Sequence, residues 1–458
     1  MKSNFYSAFI FILFFFLPGV LKAESIALPS AESFTLDNGL KFFVVKDDLP
    51  KLNLIVSVGL GKLYEDQATA GVSDLLCQTV SLAGSKNYPG SVLYDQIEKL
   101  GGKFSINSSY ERIQISFSIL DKHLVQVFSI VKDLLENPLF PEKELATAKN
   151  LIIESLKREK DNPSYLAIKE IKKNIFLGKG YGAIPTEKLI NSYDQKLLLS
   201  FWHRHFKAKN MLVGISSSHS IKSIQKKSRH FFASLNSGSP VDYFCDKKDL
   251  LKNITTNNDK IYFIPKNIPQ ATIIFGTVGP VLGEANNHPL TVMNYILGDG
   301  SFNSRLVKEI RVKRGLAYVV QSILRFRKKI GLFLALTMTS NEKVKVALPL
   351  LLDNIKQVEL QGITHEELLW AQDSISNSFI FRFDSISNII ANALFLDYNH
   401  LPPDYYNDYI VKINEVTEKK VLEESQKLFK DGFIKVVLGR PSLQAELQKF
   451  GQVVLIEE

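Results

Sequence analysis

Leu52-Asn53-Leu54-Ile55-Val56-Ser57-Val58-Gly59 alternates apolar and polar side chains, and Ala271-Thr272-Ile273-Ile274-Phe275-Gly276 opens a second strand-like passage about two hundred residues later. Period-two alternation is the signature of a half-buried strand. Each passage leads into the same order of elements. After the first come helical patterns from Gly71 and over 91–100, closed by Gly101-Gly102. A strand is predicted over 103–120 with Ile113, Ile115, Phe117 and Ile119 on one face, then long helices over 125–134 and 142–160 around Asn137-Pro138-Leu139-Phe140-Pro141. After the second come a helix over 290–297, the loop Gly298-Asp299-Gly300 and a helix over 304–314 closed by Gly315. Paired strands over 317–326 and 331–337, joined by Arg327-Lys328-Lys329, lead to helices over 344–358 and 364–379 with Gly362 between them. Strands followed by helices, twice over, predict an α+β fold of two similar domains, each an antiparallel or mixed sheet covered on one face by helices. The repeat is far longer than the 20–50 residues of a solenoid unit.

The polar stretches Asn236-Ser237-Gly238-Ser239-Pro240 and 252–259 mark the join. The domains are therefore expected over 24–237 and 259–458, with a linker over 238–258. Residues 1–23 have the layout of a secretory signal peptide: Lys2, an apolar run over 8–17, the break Pro18-Gly19, and Ala23 as a small residue for cleavage. Leu21 at the second small position leaves retention as an anchor open. The run is too short to span a bilayer, which takes roughly twenty residues, and no later run is longer. The chain is expected to be exported, to the periplasm where an outer membrane exists.

The formal charge of +9 is thinly spread over 458 residues, and lysine pairs such as Lys172-Lys173 read as solvated helix faces, so nucleic acid is not an expected partner. Two cysteines are too few for a disulfide framework. Cys77 is expected in the core and Cys245 in the join, unlinked. His203-Arg204-His205 and His365-Glu366 lack a second pair at metal-ligand spacing and are read as solvent-facing. Gly298-Asp299-Gly300 leads into no Gly-Lys-Ser/Thr, so it is no phosphate cradle.

Several short motifs stand in order along the chain: Asp37-Asn38-Gly39-Leu40, Gly71 opening a helix, Leu100-Gly101-Gly102, Asn137-Pro138-Leu139-Phe140, Leu297-Gly298-Asp299-Gly300, Ser304-Arg305-Leu306 and Lys313-Arg314-Gly315-Leu316-Ala317-Tyr318. Together they resemble the pitrilysin/insulinase-type (M16) zinc peptidases with the inverted His-x-x-Glu-His motif, in the short two-domain bacterial and mitochondrial-processing-like group. The resemblance covers nearly the whole mature chain and implies half of a clamshell. It also implies a metal site that this sequence has lost: Asp74 and Gln78 stand where the two ligand histidines would, Cys77 where the catalytic glutamate would, and Thr147 where a supporting acid would. Only the third-ligand position, Glu154, keeps its residue type. Aspartate, thiolate and glutamate can each bind zinc, but no general base would remain, so no metal and no cofactor are expected in this chain.

The same resemblance assigns Arg311 and Tyr318 to substrate binding, where guanidinium and phenol stabilise a developing oxyanion. It implies a non-catalytic subunit whose partner carries His-x-x-Glu-His and the zinc, the two enclosing a peptide substrate. The strand over 104–108 stands at the family's substrate-edge position but departs from its Asn-Ala-Tyr/Phe-Thr pattern. The alternative is an inert pseudo-peptidase acting as a structural or assembly scaffold, like the core subunits of respiratory complexes.

Overall fold

The computed structural model describes residues 28–243 and 246–456; the leader expected over 1–23 and Cys245 lie outside the described residues. The first half contributes β1 (Glu32–Thr35), β2 (Lys41–Lys46), β3 (Lys51–Val58), the short pair β4 (Gly84–Ser85) and β5 (Tyr88–Pro89), β6 (Lys103–Ser108), β7 (Ile113–Leu120) and β8 (Met211–Ser217). The second contributes β9 (Lys260–Pro265), β10 (Gln270–Gly279), β11 (Ala317–Arg325), β12 (Gly331–Ser340), β13 (Ile434–Gly439) and β14 (Gln452–Leu455). The six-stranded sheets run β1-β2-β8-β3-β7-β6 and β11-β12-β10-β13-β9-β14. Both are mixed. β2 and β8 pair in parallel, as do β13 and β9, while β3 and β10 sit antiparallel to both neighbours. The duplication in the sequence is thus a duplication of topology over five strands, with hairpins β6–β7 and β11–β12 at equivalent edges, while the outer strand differs: β1 lies antiparallel to β2 and β14 parallel to β9.

Helices α1 (Val72–Ala83), α2 (Ser91–Lys99), α3 (Leu124–Glu136) and α4 (Glu142–Glu159) belong to the first half, and α5 (Pro163–Ile175) comes after them. In α1, Val72, Leu75, Leu76 and Val80 are buried, at the spacing that puts them on one helix face. They share a core with Leu54, Val56, Ile113 and Ile115 of the sheet. The predicted strand over 103–120 is a hairpin. The polar run Ser109-Tyr110-Glu111-Arg112 turns the chain, with the Ser109 N–H donating to the Arg112 carbonyl at 2.8 Å.

The other face of each sheet is covered by the other half. Ala167, Ile171 and Ile175 of α5 pack on Ile274, Leu334 and Val436 of the second sheet. In return, Ile390 and Leu394 of the helix Ile386–Tyr398 pack on Phe43 and Val45 of the first. Glycines permit this close approach: a Cβ on Gly214 in β8 would lie 2.3 Å from Ile390 Cγ2, and one on Gly276 in β10 would lie 2.9 Å from the Cδ1 atoms of both Ile171 and Ile175. Each fully buried aliphatic side chain contributes about 1.5–3 kcal/mol, so the exchange ties the halves together.

Two expectations need correction. The stretch read as linker is helical over Lys247–Asn257, opened by Asp246, whose carboxylate accepts from the Lys248 N–H. Leu250 and Ile254, one turn apart, are buried against the second sheet, and this packing outweighs the low helix propensity of the Asn and Thr residues around them. His205 is not solvent-facing: it is 1% exposed, and its Nδ1–H donates to the Gly59 carbonyl at 3.0 Å. His203 is exposed, and exposed His365 pairs with Glu418 at 2.7 Å.

Both packings can be tested. Ile390→Ala should lower stability by about 2–4 kcal/mol and speed amide exchange in β2 and β8; unchanged protection there would mean the helix adds nothing to the first half. Burial pushes the His205 imidazole down from 6.5 to about 4, whereas in the unfolded chain it protonates near the ordinary value. Stability is therefore complete above about pH 6.5 and falls as pH drops towards 4, by on the order of 3 kcal/mol. His205→Gln should flatten that slope in urea titrations across this range.

Candidate functional site

The N-terminus of α1 is anchored by a buried acid. Gly71 takes φ +86° ahead of the first turn, and the Glu65 carboxylate accepts from the Gly71 N–H at 2.7 Å and the Ser73 N–H at 2.9 Å. Burial raises the Glu65 pKa, and these bonds hold part of that rise back. Asp74 and Gln78 are one turn apart on the side of α1 away from the sheet, and with Cys77 they line a cavity of about 540 Å³. The cavity lies between α1, the end of β6, α4 and α5.

The donor set there does not fit zinc. The Asp74 carboxylate accepts from Ser108 Oγ, and Lys62 Nζ stands 3.5 Å from its other oxygen. An ammonium thus stands beside the one carboxylate of the former motif. Lys62 is held above its usual pKa: burial pulls it down, but Asp74, Tyr110 and Glu65 outweigh that. Burial pushes the Cys77 thiol well up, with Asp74 and Glu65 adding to the rise, so it is a buried thiol rather than a thiolate. Gln78 offers only an amide. Glu154 points away. Its side chain is 57% exposed and bonds Lys157 at 3.1 Å, while the neighbouring Ser155 lines the cavity. One residue along a helix rotates a side chain by about 100°, so a spacing count alone places Glu154 one position off the cavity. Thr147 donates to the Lys143 carbonyl at 3.0 Å on the exposed side. Among the described residues, no three His, Cys, Asp or Glu side chains gather as a metal cluster.

The cavity also collects groups that no motif marks. Tyr110, from the β6–β7 turn, accepts from Lys172 Nζ at 2.5 Å, and its ring has Lys62 at 5.7 Å and Arg327 at 5.6 Å. Burial raises this phenol, but the nearby cations, Lys172 foremost, bring it below its ordinary value. Lys172 is therefore a cavity residue and not a solvated-face lysine. Sequence spacing could not reveal this, because Lys62, Tyr110 and Lys172 meet only through the fold.

Arg311 and Tyr318 are brought together, but not at this cavity, whose lining comes entirely from residues 62–185. The predicted helix over 304–314 is wide-wound over Val307–Val312, with the Lys313 N–H reaching the Lys308 carbonyl at 2.9 Å. Gly315, at φ +57°, ends it. In β11 the register with β12 slips between Ala317 and Val319, so Tyr318 is a bulge residue, a device that re-aims a side chain. The Arg311 guanidinium lies 4.8 Å from the Tyr318 ring centroid and 4.9 Å from that of Phe302. Glu309 takes both Lys313 and Arg314; among the described residues no acid pairs with Arg311. Tyr318 is 75% exposed and Phe302 59%. Phe302 comes directly after Ser301, which is held at φ +56°, and nothing in the spacing flags it as a partner of Arg311.

The molecule is thus two like sheet-and-helix halves, with a cavity-facing helix, α1, whose Asp74, Cys77 and Gln78 do not fit a zinc site. Residues 44–184 match the model for the insulinase (M16) peptidase family, and residues 192–375 match the one for the peptidase M16 inactive domain. The chain belongs to the M16 family. It is similar to an uncharacterized zinc protease of Rickettsia bellii, 23% identical over 86% of this chain and 92% of that one. It is also similar to the non-peptidase homolog YmxG of Helicobacter pylori, 23% identical over 79% and 82%. The crystal structure of a peptidase M16 inactive domain from Pseudomonas fluorescens superposes with a TM-score of 0.79 at 21% identity, over 90% of this chain and 98% of that one.

The purified chain should hold well under one zinc per molecule, and Glu154→Ala should leave that content unchanged. Elemental analysis finding one tight zinc that Glu154→Ala removes would refute the donor-set argument.

Proposed function

We propose that this chain is the non-catalytic subunit of an exported, periplasmic, heterodimeric M16-type zinc peptidase. It closes half of a peptide chamber and sets Arg311 and Tyr318 at the zinc site of a partner that carries His-x-x-Glu-His. One observation carries the reading. The arginine and tyrosine are held against each other on an exposed edge, with no acid paired to Arg311 among the described residues, away from the chain's own cavity. A guanidinium without a carboxylate partner and a phenol facing outward are donors for a carbonyl oxygen that gains charge. Phe302, whose ring centroid lies 4.9 Å from the guanidinium, limits the directions in which Arg311 can point.

The scaffold reading is favoured by the similarity to a relative named a non-peptidase homolog. It gives no reason for a bulge that turns Tyr318 outward.

In a reconstituted complex, Tyr318→Phe should leave association and melting temperature unchanged and slow peptide hydrolysis by about a hundred- to a thousandfold, the usual cost of losing one oxyanion donor. Arg311→Ala should lower turnover and weaken substrate binding as well. Full activity of both variants in a stable complex would discard the catalytic-support role in favour of the scaffold.

A further inference from the structure

The cavity beside α1 remains to be explained, since a dead site with no task needs neither this volume nor these charges. Its lysines come from separate elements: Lys62 from the loop before α1, and Lys169 and Lys172 from α5. The more exposed Arg158, on α4, adds a fourth cation to the lining. Most of the acid is already committed. Glu65 is bound to the N–H groups that open α1, and Asp74 to Ser108 and Lys62. Lys172 donates to Tyr110. Among the described residues Lys169 makes no direct ion pair or hydrogen bond, although it is attracted by Glu159; the Glu159 carboxylate takes the Tyr165 hydroxyl, and its Oε2 is buried without a hydrogen-bond partner. Ile106, Leu151, Leu156 and Ile168 supply apolar wall.

We propose that this cavity binds a carboxylate carried on a peptide, with Lys62, Lys169 and Lys172 as its cationic wall. The lysines receive the carboxylate, Glu159 accepts a backbone N–H of the same peptide, and the aliphatic wall takes flanking apolar side chains. The ammonium of Lys62 thereby keeps a positive centre where the family's chemistry would place a metal, and turns a hydrolytic site into a holding site for acidic segments. That the ligand is a peptide rests on the subunit reading above; the carboxylate preference rests on the cavity alone.

The test is calorimetry on the isolated full-length mature chain with three acetylated hexapeptides of leucine and alanine. One carries a central glutamate and an amidated C-terminus, one has glutamine in its place, and one is the glutamine peptide with a free C-terminal carboxylate. At least one carboxylate peptide should bind about tenfold tighter than the glutamine amide, as charge-assisted hydrogen bonds require. Which of the two does so tells a side-chain carboxylate from a chain terminus. Lys169→Met, which keeps the aliphatic stem, should abolish the preference at unchanged melting temperature, and Lys172→Met should reduce it. Equal affinity for all three peptides, no binding of any, or a preference that survives both substitutions would overturn the proposal. The experiment contains no partner subunit and reads no hydrolysis, so it can fail while the arginine–tyrosine role stands, and the reverse.

Discussion

Each sheet in this protein has two apolar faces, and its own half can cover only one. That constraint organises the rest of the structure. The first half sends α5 across to the second sheet, and the second half returns the helix Ile386–Tyr398 to the first. The two helices occupy equivalent places in the duplicated order, so the exchange is reciprocal. A sheet face left bare would expose Phe43, Val45, Ile274, Leu334 and Val436, an apolar patch of the kind that soluble surfaces avoid. The halves are therefore similar units that do not stand as independent ones.

The same exchange creates the cavity. Because α5 belongs to the first half by sequence but is held against the second sheet, Tyr165, Lys169 and Lys172 face α1 across open space. Helix α1 keeps the architecture of a catalytic helix without its chemistry. Glu65 still fixes its first turn, its apolar stripe still packs on the sheet, and Asp74, Cys77 and Gln78 still look into the cavity. Lys62 forms a salt bridge with Asp74 there.

The two candidate sites are divided along the same line. The first half holds a charged cavity, whereas the second holds an arginine beside two exposed aromatic rings on an open edge. A π-wound turn positions Arg311 and a bulge turns Tyr318 outward, both irregularities that cost regular hydrogen bonding and tend to occur where a side chain must be aimed. The two sites sit in different halves and draw on different residues.

Much of this was legible in the sequence. Alternation and helical periodicity over short windows set the duplicated α+β order and the buried place of Cys77, while the lost metal motif and the Arg311–Tyr318 pair were legible only through the resemblance to the M16 peptidases. These are local properties, encoded within a turn or two of chain. The hairpin at Ser109-Tyr110-Glu111-Arg112, the helix in the presumed linker, the burial of His205 and the outward face of Glu154 were not, because each depends on what packs against it. The meeting of Lys62, Tyr110, Lys169 and Lys172 was least legible of all. No window of sequence contains those four residues together; only a helix lent by one half to the other brings them into one cavity.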